Sequence, residues 1–224
     1  MSRVMVLGSH PDDAEGGCGG LIRNLVYQGS EVKIACMTRG ERGPKSNPPV
    51  KNARIRSEEA RRAAGVLGVE VGFLGFTDGE VVADDETSRV VEEVIRTWEP
   101  DAVLAHWPID SHTDHQASGT VALRSLVRGV SFELYFFEVM TGHQTMNFVP
   151  THYVDIGESL EVKHEACRAH ESQNPERFLA HHRLMERMRG REIGVEYAEA
   201  FVRASRSGAD TMLPGLGNSM QVNR

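Results

Sequence analysis

Residues 3–8 (RVMVLG) form a continuous apolar run of strand length, the pattern of a strand buried on both faces. Residues 16–28 then carry Leu21, Leu25 and Val26 at helical spacing, and 32–38 (VKIACMT) read as a second strand. Residues 52–67 set Ala60, Ala63, Ala64 and Leu67 on one side of a helix and charges on the other. A third strand is predicted over 69–74. A helix follows over 86–98, with Val90, Val91, Val94 and Ile95 as its apolar stripe, stopped by Pro100. Residues 102–105 form strand four, 115–127 a helix, 132–137 strand five and 153–156 a further strand; a helix over 160–169 and a polar tail complete the chain. This rhythm predicts an α/β fold, a Rossmann-like and mostly parallel sheet with helices on both faces, as a single domain over residues 1–224. The less regular second half predicts extra strands and loops at one edge. Ligands of such folds bind at the carboxyl ends of the strands.

Composition narrows the class. The 224 residues hold 25 Lys+Arg against 32 Asp+Glu, a net charge of −7, so no sequence-wide basic field exists for nucleic acid or anionic lipid. No apolar run approaches the roughly 18 residues of a membrane span. The first residues run straight into a strand with no signal-like segment, which predicts a cytoplasmic protein. Cys18, Cys36 and Cys167 are far apart and never form C-x-x-C, as suits a reducing compartment. Ten histidines turn attention to metal or acid–base chemistry.

The densest polar cluster, Ser9-His10-Pro11-Asp12-Asp13-Ala14-Glu15, follows the first strand. Carboxylates are costly to gather at a buried strand end unless a positive partner sits between them, and a divalent cation is the simplest one. The plainer reading is a helix start capped by Asp12 or Asp13. A second cluster, Asp110-Ser111-His112-Thr113-Asp114-His115, follows strand four. If strands one and four are neighbours, the clusters meet at the switch point of the sheet. His10, Asp13 and His115 then supply two imidazoles and one carboxylate, the ligand set of catalytic zinc with a position open for water. The same residue types also spell the facial triad of non-haem iron oxygenases, which sits on β-rich barrels rather than on an alternating α/β chain.

S-H-P-D-D-A-E resembles the A-H-P-D-D-x-E signature of the PIG-L/LmbE-like N-acetylglucosaminyl deacetylases, and S-H-T-D-H resembles their second motif, H-x-D-H. Further matches are Thr38-Arg39-Gly40-Glu41-Arg42-Gly43, Arg56-Ser57-Glu58-Glu59-Ala60 and Ala169-His170-Glu171-Ser172-Gln173. The stretch from Gly194 to Phe201 (GVEYAEAF) resembles the bacillithiol-biosynthesis subgroup. Ser9 stands where alanine is usual, and Thr113 replaces a frequent proline. The resemblance implies zinc, or another divalent metal, on His10, Asp13 and His115, with Asp12 as general base. It implies His112 as oxyanion stabiliser or leaving-group acid with Asp114 behind it, Arg56 as a substrate contact and Glu41 as a further one. It also implies a small N-acetylated amino-sugar substrate and a homo-oligomer, with a hexamer as the family's example. Sugar–malate, sugar–inositol, chito-oligosaccharide and antibiotic precursors share the reacting amide.

Other features have plainer explanations. Gly16-Gly17-Cys18-Gly19-Gly20 fails the dinucleotide G-x-G-x-x-G spacing and predicts close helix–sheet packing instead. His164, His181 and His182 lie in charged helical stretches and are expected in solvent. His106 and Trp107 either line the cleft or pack its edge, and His170 has no role that the residues dictate. Residues 132–140 (FELYFFEVM) are core or an oligomer face, and 40–51, with three prolines, read as a mobile loop placed for a substrate lid. A protein that binds metal or sugar without turnover is the remaining alternative; such a binder has no need of Asp12.

Overall fold

The computed structural model describes residues 2–204. Its strands are β1 (Arg3–Gly8), β2 (Glu31–Cys36), β3 (Glu70–Phe73), β4 (Ala102–His106), β5 (Glu133–Phe137), β6 (His152–Asp155) and β7 (Ala198–Ala204). The helices are α1 (Asp13–Tyr27), α2 (Pro49–Leu67), α3 (Asp85–Trp98), α4 (Thr113–Val127), α5 (Leu160–Arg168) and α6 (Pro175–Ile193). The sheet order is β3-β2-β1-β4-β5-β7-β6. β1 to β5 run parallel; β7 runs antiparallel to β5, and β6 pairs antiparallel with β7 at the edge, in the direction of β1 to β5.

Alternation along the strands divides the core. Val4 and Val6 of β1 join the cluster that packs under α1, α2 and α5, whereas Met5 and Leu7 join the cluster on the α3 and α4 face. The chain steps outward from β1 to β3 and returns to the other side of β1 with β4, paired Val4↔Ala102 through Leu7↔Ala105. Their carboxyl ends are the switch point, where connections leave in opposite directions and a crevice opens. The fold class read from the hydrophobic rhythm is the one observed.

Two expectations about the second half need correction. The expected polar tail contains α6 and β7, with β7 inserted between β5 and β6. β5 is therefore interior, with Tyr135 and Phe137 fully buried, and its apolar run is core rather than an oligomer face. His182 and His164 are also buried, at 1% and 2% exposure. His164 Nε2 lies 2.9 Å from Glu186 Oε2, and Lys163 Nζ sits 2.8 Å from both Glu186 and Glu199. The inward stripe of α6 is thus partly charged, which hides its helical period from any apolar count.

The glycine run of α1 does serve close packing. A Cβ on Gly17 would run into the Phe137 ring, and one on Gly20 into Ile156. All three cysteines are free and buried, and no described helix is long and apolar enough to cross a membrane.

Candidate active site

β1 ends at Gly8, and the turn after it brings Ser9 N and His10 N onto Asp13 Oδ2 at 3.0 and 2.6 Å. Asp12 occupies the cap position of α1 at φ 107°, yet its side chain makes no capping hydrogen bond. Its Oδ2 accepts instead from Arg56 Nη2 at 3.1 Å. The capping reading of this cluster therefore fails at Asp12. In the second cluster one residue does cap: His112 Nδ1 accepts from Asp114 N at the start of α4.

The two clusters meet as expected from the adjacency of β1 and β4. His10 Nδ1 lies 3.4 Å from Asp13 Oδ2, His115 Nε2 lies 3.4 Å from Asp13 Oδ1, and the two ring nitrogens are 3.3 Å apart. Donors at about 2.0–2.1 Å from a tetrahedral ion are separated by roughly 3.3–3.4 Å, a spacing the two ring nitrogens have; each faces a different oxygen of Asp13, and the groups that gather donor atoms tightly enough for a cation are His10 with His112 and His115, Asp13 with His106 and His115, and His10 with Asp78, His112 and Asp114. The outer nitrogens are engaged elsewhere. His10 Nε2 faces Asp114 Oδ2 at 3.0 Å and Asp78 Oδ1 at 3.2 Å, and His115 Nδ1 faces Asp110 Oδ1 at 3.2 Å. A ring that gives its outer N–H to a carboxylate turns its inner lone pair toward the shared point, which is how metal-bound imidazoles are held.

Electrostatics agree. Burial disfavours charge on His10, but Asp114, Asp13 and Asp78 outweigh it and raise its pKa well above the ordinary value. Burial likewise opposes charge on His115, which Asp13 and Asp110 nevertheless raise to about 9. Carboxylates that favour a proton on these nitrogens favour a metal cation there for the same reason. Asp13, despite its burial, is held well below the usual carboxylate range by His115 and His106. Burial works against charge on Asp78, Asp110 and Asp114 too, but the imidazoles they face keep all three low. Asp12 goes the other way: burial raises it, Arg56 opposes, and the Asp13 charge adds. His112 is lowered by burial and by the charges of His10 and His115.

A cleft of about 810 Å³ opens above these groups, walled by Arg42, Gly43 and Pro44, by Ser111 and His112, by Met140 and Gln144, and by Ser172 to Asn174 with Phe178. The expected lid, 40–51, is tied down: Asn52 Nδ2 donates to Glu41 O and Pro44 O, and Arg42 N donates to Asp78 Oδ2. Its last residues already belong to α2.

Some placements differ from the expected roles. Asp114 faces His10 and accepts from Gly79 N and Val81 N, so its carboxylate orients a different ring from the expected His112. Glu41 does not line the cleft; its Oε2 accepts from Asp78 N at 3.3 Å. Arg56 reaches the cleft wall but is only 5% exposed and grips Asp12 and the Pro11 carbonyl. Trp107 packs on Phe136 and Phe148.

Three residues without an assigned role belong to the site. Asp78 follows β3, where nothing in the sequence marks it. Asp110 lies inside the second cluster, where its neighbours drew the attention. His106, the last residue of β4, places Nε2 3.0 Å from Asp13 Oδ2 and stacks on His115 with centroids 4.0 Å apart. Burial and the His115 charge lower its pKa to about 4, which keeps it neutral.

The family model "PIG-L: GlcNAc-PI de-N-acetylase" matches residues 5–126, which contain both clusters. The chain belongs to the PIG-L family. This is a family of deacetylases, hydrolytic enzymes that act on N-acetyl amide bonds. The PIG-L chain is 32% identical over 191 residues to the diacetylchitobiose deacetylase of Thermococcus kodakarensis, covering 79% of this chain and 72% of that one. The solved N,N'-diacetylchitobiose deacetylase of Pyrococcus horikoshii superposes with a TM-score of 0.80 at 29% identity, over 90% of this chain and 83% of the other. The 4-oxalmesaconate hydratase of Pseudomonas putida is 32% identical over 112 residues, which are 46% of this chain and 43% of the hydratase. None of the residues from Gly194 to Phe201 lines the cleft; they cap α6 and start β7, so that motif carries packing.

Proposed function

We propose that this PIG-L protein hydrolyses the N-acetyl group of a small N-acetylglucosamine-type conjugate, using a divalent cation, zinc first, held by His10, Asp13 and His115. The observation that carries this reading is the approach of His10 Nδ1 and His115 Nε2 to 3.3 Å from one another, each 3.4 Å from an oxygen of the Asp13 carboxylate and each ring facing a further acid on its other side. When bound there, zinc supplies a Lewis acid for the amide carbonyl and lowers the pKa of water.

The chain's own groups do the rest. Asp12, at the cleft wall, takes a proton from the attacking water as its oxygen adds to the acetyl carbon, and returns that proton to the nitrogen as the C–N bond breaks. His112 Nδ1 accepts a backbone N–H, so the neutral ring carries its proton on Nε2 and offers it to the developing oxyanion. The products are acetate and a free amine.

Both arginines of the cleft wall are already paired, Arg42 with Glu80 and Arg56 with Asp12. Neutral conjugates, sugar–sugar or sugar–inositol, are therefore favoured over the acidic sugar–malate type. The similarity to a hydratase motivates a second reading, addition of water to a carbon–carbon double bond. A panel of N-acetylated sugars and an unsaturated oxo-acid, offered to zinc-loaded protein, separates the two. Acetate release, fastest from neutral conjugates, is expected. Asp12→Asn should keep about one equivalent of metal and lose on the order of 10²–10⁴ in rate. Hydration without acetate release, or normal turnover by Asp12→Asn, would overturn the proposal.

A further inference from the structure

Helix α1 is broken inside its glycine run. Cys18 has φ −149° and ψ 22°, outside the helical range, and the chain resumes its helical course after it. A residue with non-helical dihedrals that opens a helix stands at the N-cap position, where the amides two and three residues further on need an acceptor. After Cys18 those amides belong to Gly20 and Leu21. The Cys18 thiol points back along the chain, with Sγ donating to Ala14 O at 3.3 Å. Glu199 of β7 takes the place of the missing cap: Gly20 N donates to its Oε1 and Leu21 N to its Oε2, at 2.8 Å each. This carboxylate is 4% exposed, and Lys163 Nζ supplies a counter-charge at 2.8 Å. The glycines make the approach possible, since a Cβ on Gly20 would sit 3.2 Å from Glu199 Oε1 and one on Gly19 2.9 Å from Lys163 Cγ.

A side chain inserted into the hydrogen-bond ladder bends a helix sharply, by more than about 20°. The short arm ahead of this break, from Asp13 to Gly17, carries the carboxylate that faces His10 and His115. The amides of Ser9 and His10 hold that carboxylate from the front. The direction of the arm behind it is set at Cys18. Five residues at a rise of about 1.5 Å make a lever of roughly 7.5 Å, so straightening by about 20° would carry Asp13 through about 2.5 Å. A misplacement of about 1 Å at a reacting centre already costs on the order of 10²-fold in rate.

We infer that Glu199 is a positioning residue, a cap supplied from β7 that fixes the break in α1 at Cys18 and thereby aims Asp13 at the point it shares with His10 and His115. The inference rests on the reading of those three residues as a metal site. Glu199 does not line the cleft and acts only through α1.

The test compares Glu199→Gln and Glu199→Asp with the wild type, each loaded with cobalt(II) in place of zinc. A carboxamide offers one acceptor and one donor where the two amides need two acceptors. Glu199→Gln is expected to change the position and intensity of the cobalt visible bands. It is also expected to weaken zinc about 10-fold in chelator competition and to lower kcat by a similar factor with KM unchanged. Glu199→Asp keeps both acceptors on a shorter side chain and is expected to recover part of the loss. A wild-type cobalt spectrum and zinc affinity in Glu199→Gln would make Glu199 a support of stability alone and overturn the inference. Should Glu199→Gln fail to fold, Glu199→Asp carries the test: part-way shifted bands are expected, and unshifted bands overturn the inference. Metal-free crystal structures of whichever variant folds give a readout that needs neither ion nor turnover. The inference requires α1 to change direction at Cys18 with Asp13 displaced by about 1 Å or more, and an unmoved Asp13 refutes it. If the wild type releases no acetate from N,N'-diacetylchitobiose, the functional reading fails, and the spectra and structures still decide what Glu199 does to Asp13.

Discussion

Asp110 stays outside the cleft wall, yet it decides what His115 offers to it. Its Oδ1 faces His115 Nδ1 and accepts from His112 N, while Oδ2 accepts from Thr145 Oγ1. Both oxygens are thus fixed by donors other than His115, which holds the carboxylate in place behind that ring. Removing such a partner behind a ligand weakens metal binding by about 10–100-fold. Asp110→Ala is expected to show that loss in chelator-competition titrations of zinc affinity, and an unchanged affinity would mean that His115 is oriented by packing alone. At this scale the sequence was informative about residue types and less so about directions. The proposed ligands His10, Asp13 and His115 come from two motifs that the fold brings together, but which acid faces which ring could not be read from the chain. Asp114 and His115 are consecutive in the first turn of α4 and diverge by about 100°, so Asp114 turns to His10 across the crevice and leaves His115 to Asp110. Asp78 enters through tertiary folding and has no local signature.

Among the elements, α6 shows why the second half was hard to read. Its inward residues include His182, Glu186 and Arg189, polar side chains that become core only because Lys163, Glu199 and Glu138 meet them. A helix whose buried face is charged has no apolar stripe, and β7 reads as tail until Glu199 is seen to accept from Gly20 N and Leu21 N of α1 at 2.8 Å each. The first five strands had no such disguise, being short apolar runs between amphipathic helices. The buried network also has a pH signature. Burial, helped by the Lys163 charge, lowers the His182 pKa to about 3, against an ordinary value of 6.5. The unfolded chain therefore takes up this proton before the folded one, and stability falls as pH drops from about 6.5 toward 3. Burial would raise Glu186, but Lys163 and His164 hold it at about 2, so its contribution too is lost as pH falls below its ordinary 4.5. Urea denaturation across this range should show wild-type stability rising with pH, with a shallower slope between pH 3 and 6.5 in His182→Gln. An identical slope would show that His182 is not the neutral buried group described.

For the whole molecule, the placement of the site follows from topology. The chain crosses from β3 back to β4 beside β1, and both polar clusters follow the strands at that crossing. Strand runs and motif positions could be read in the linear chain, so the location of the site was legible before its geometry. The antiparallel pairing of β7 with β5 and β6, and the way α6 leans Phe178 over the cleft, depend on long-range contacts that no local pattern encodes. Everything proposed for the chemistry converges on one ion position. Anomalous diffraction at the zinc edge from zinc-loaded crystals tests it most directly. The expected result is a single strong site about 2.0–2.2 Å from His10 Nδ1, the Asp13 carboxylate and His115 Nε2. A metal bound elsewhere, or His10 and His115 ligating separate ions, would contradict the account.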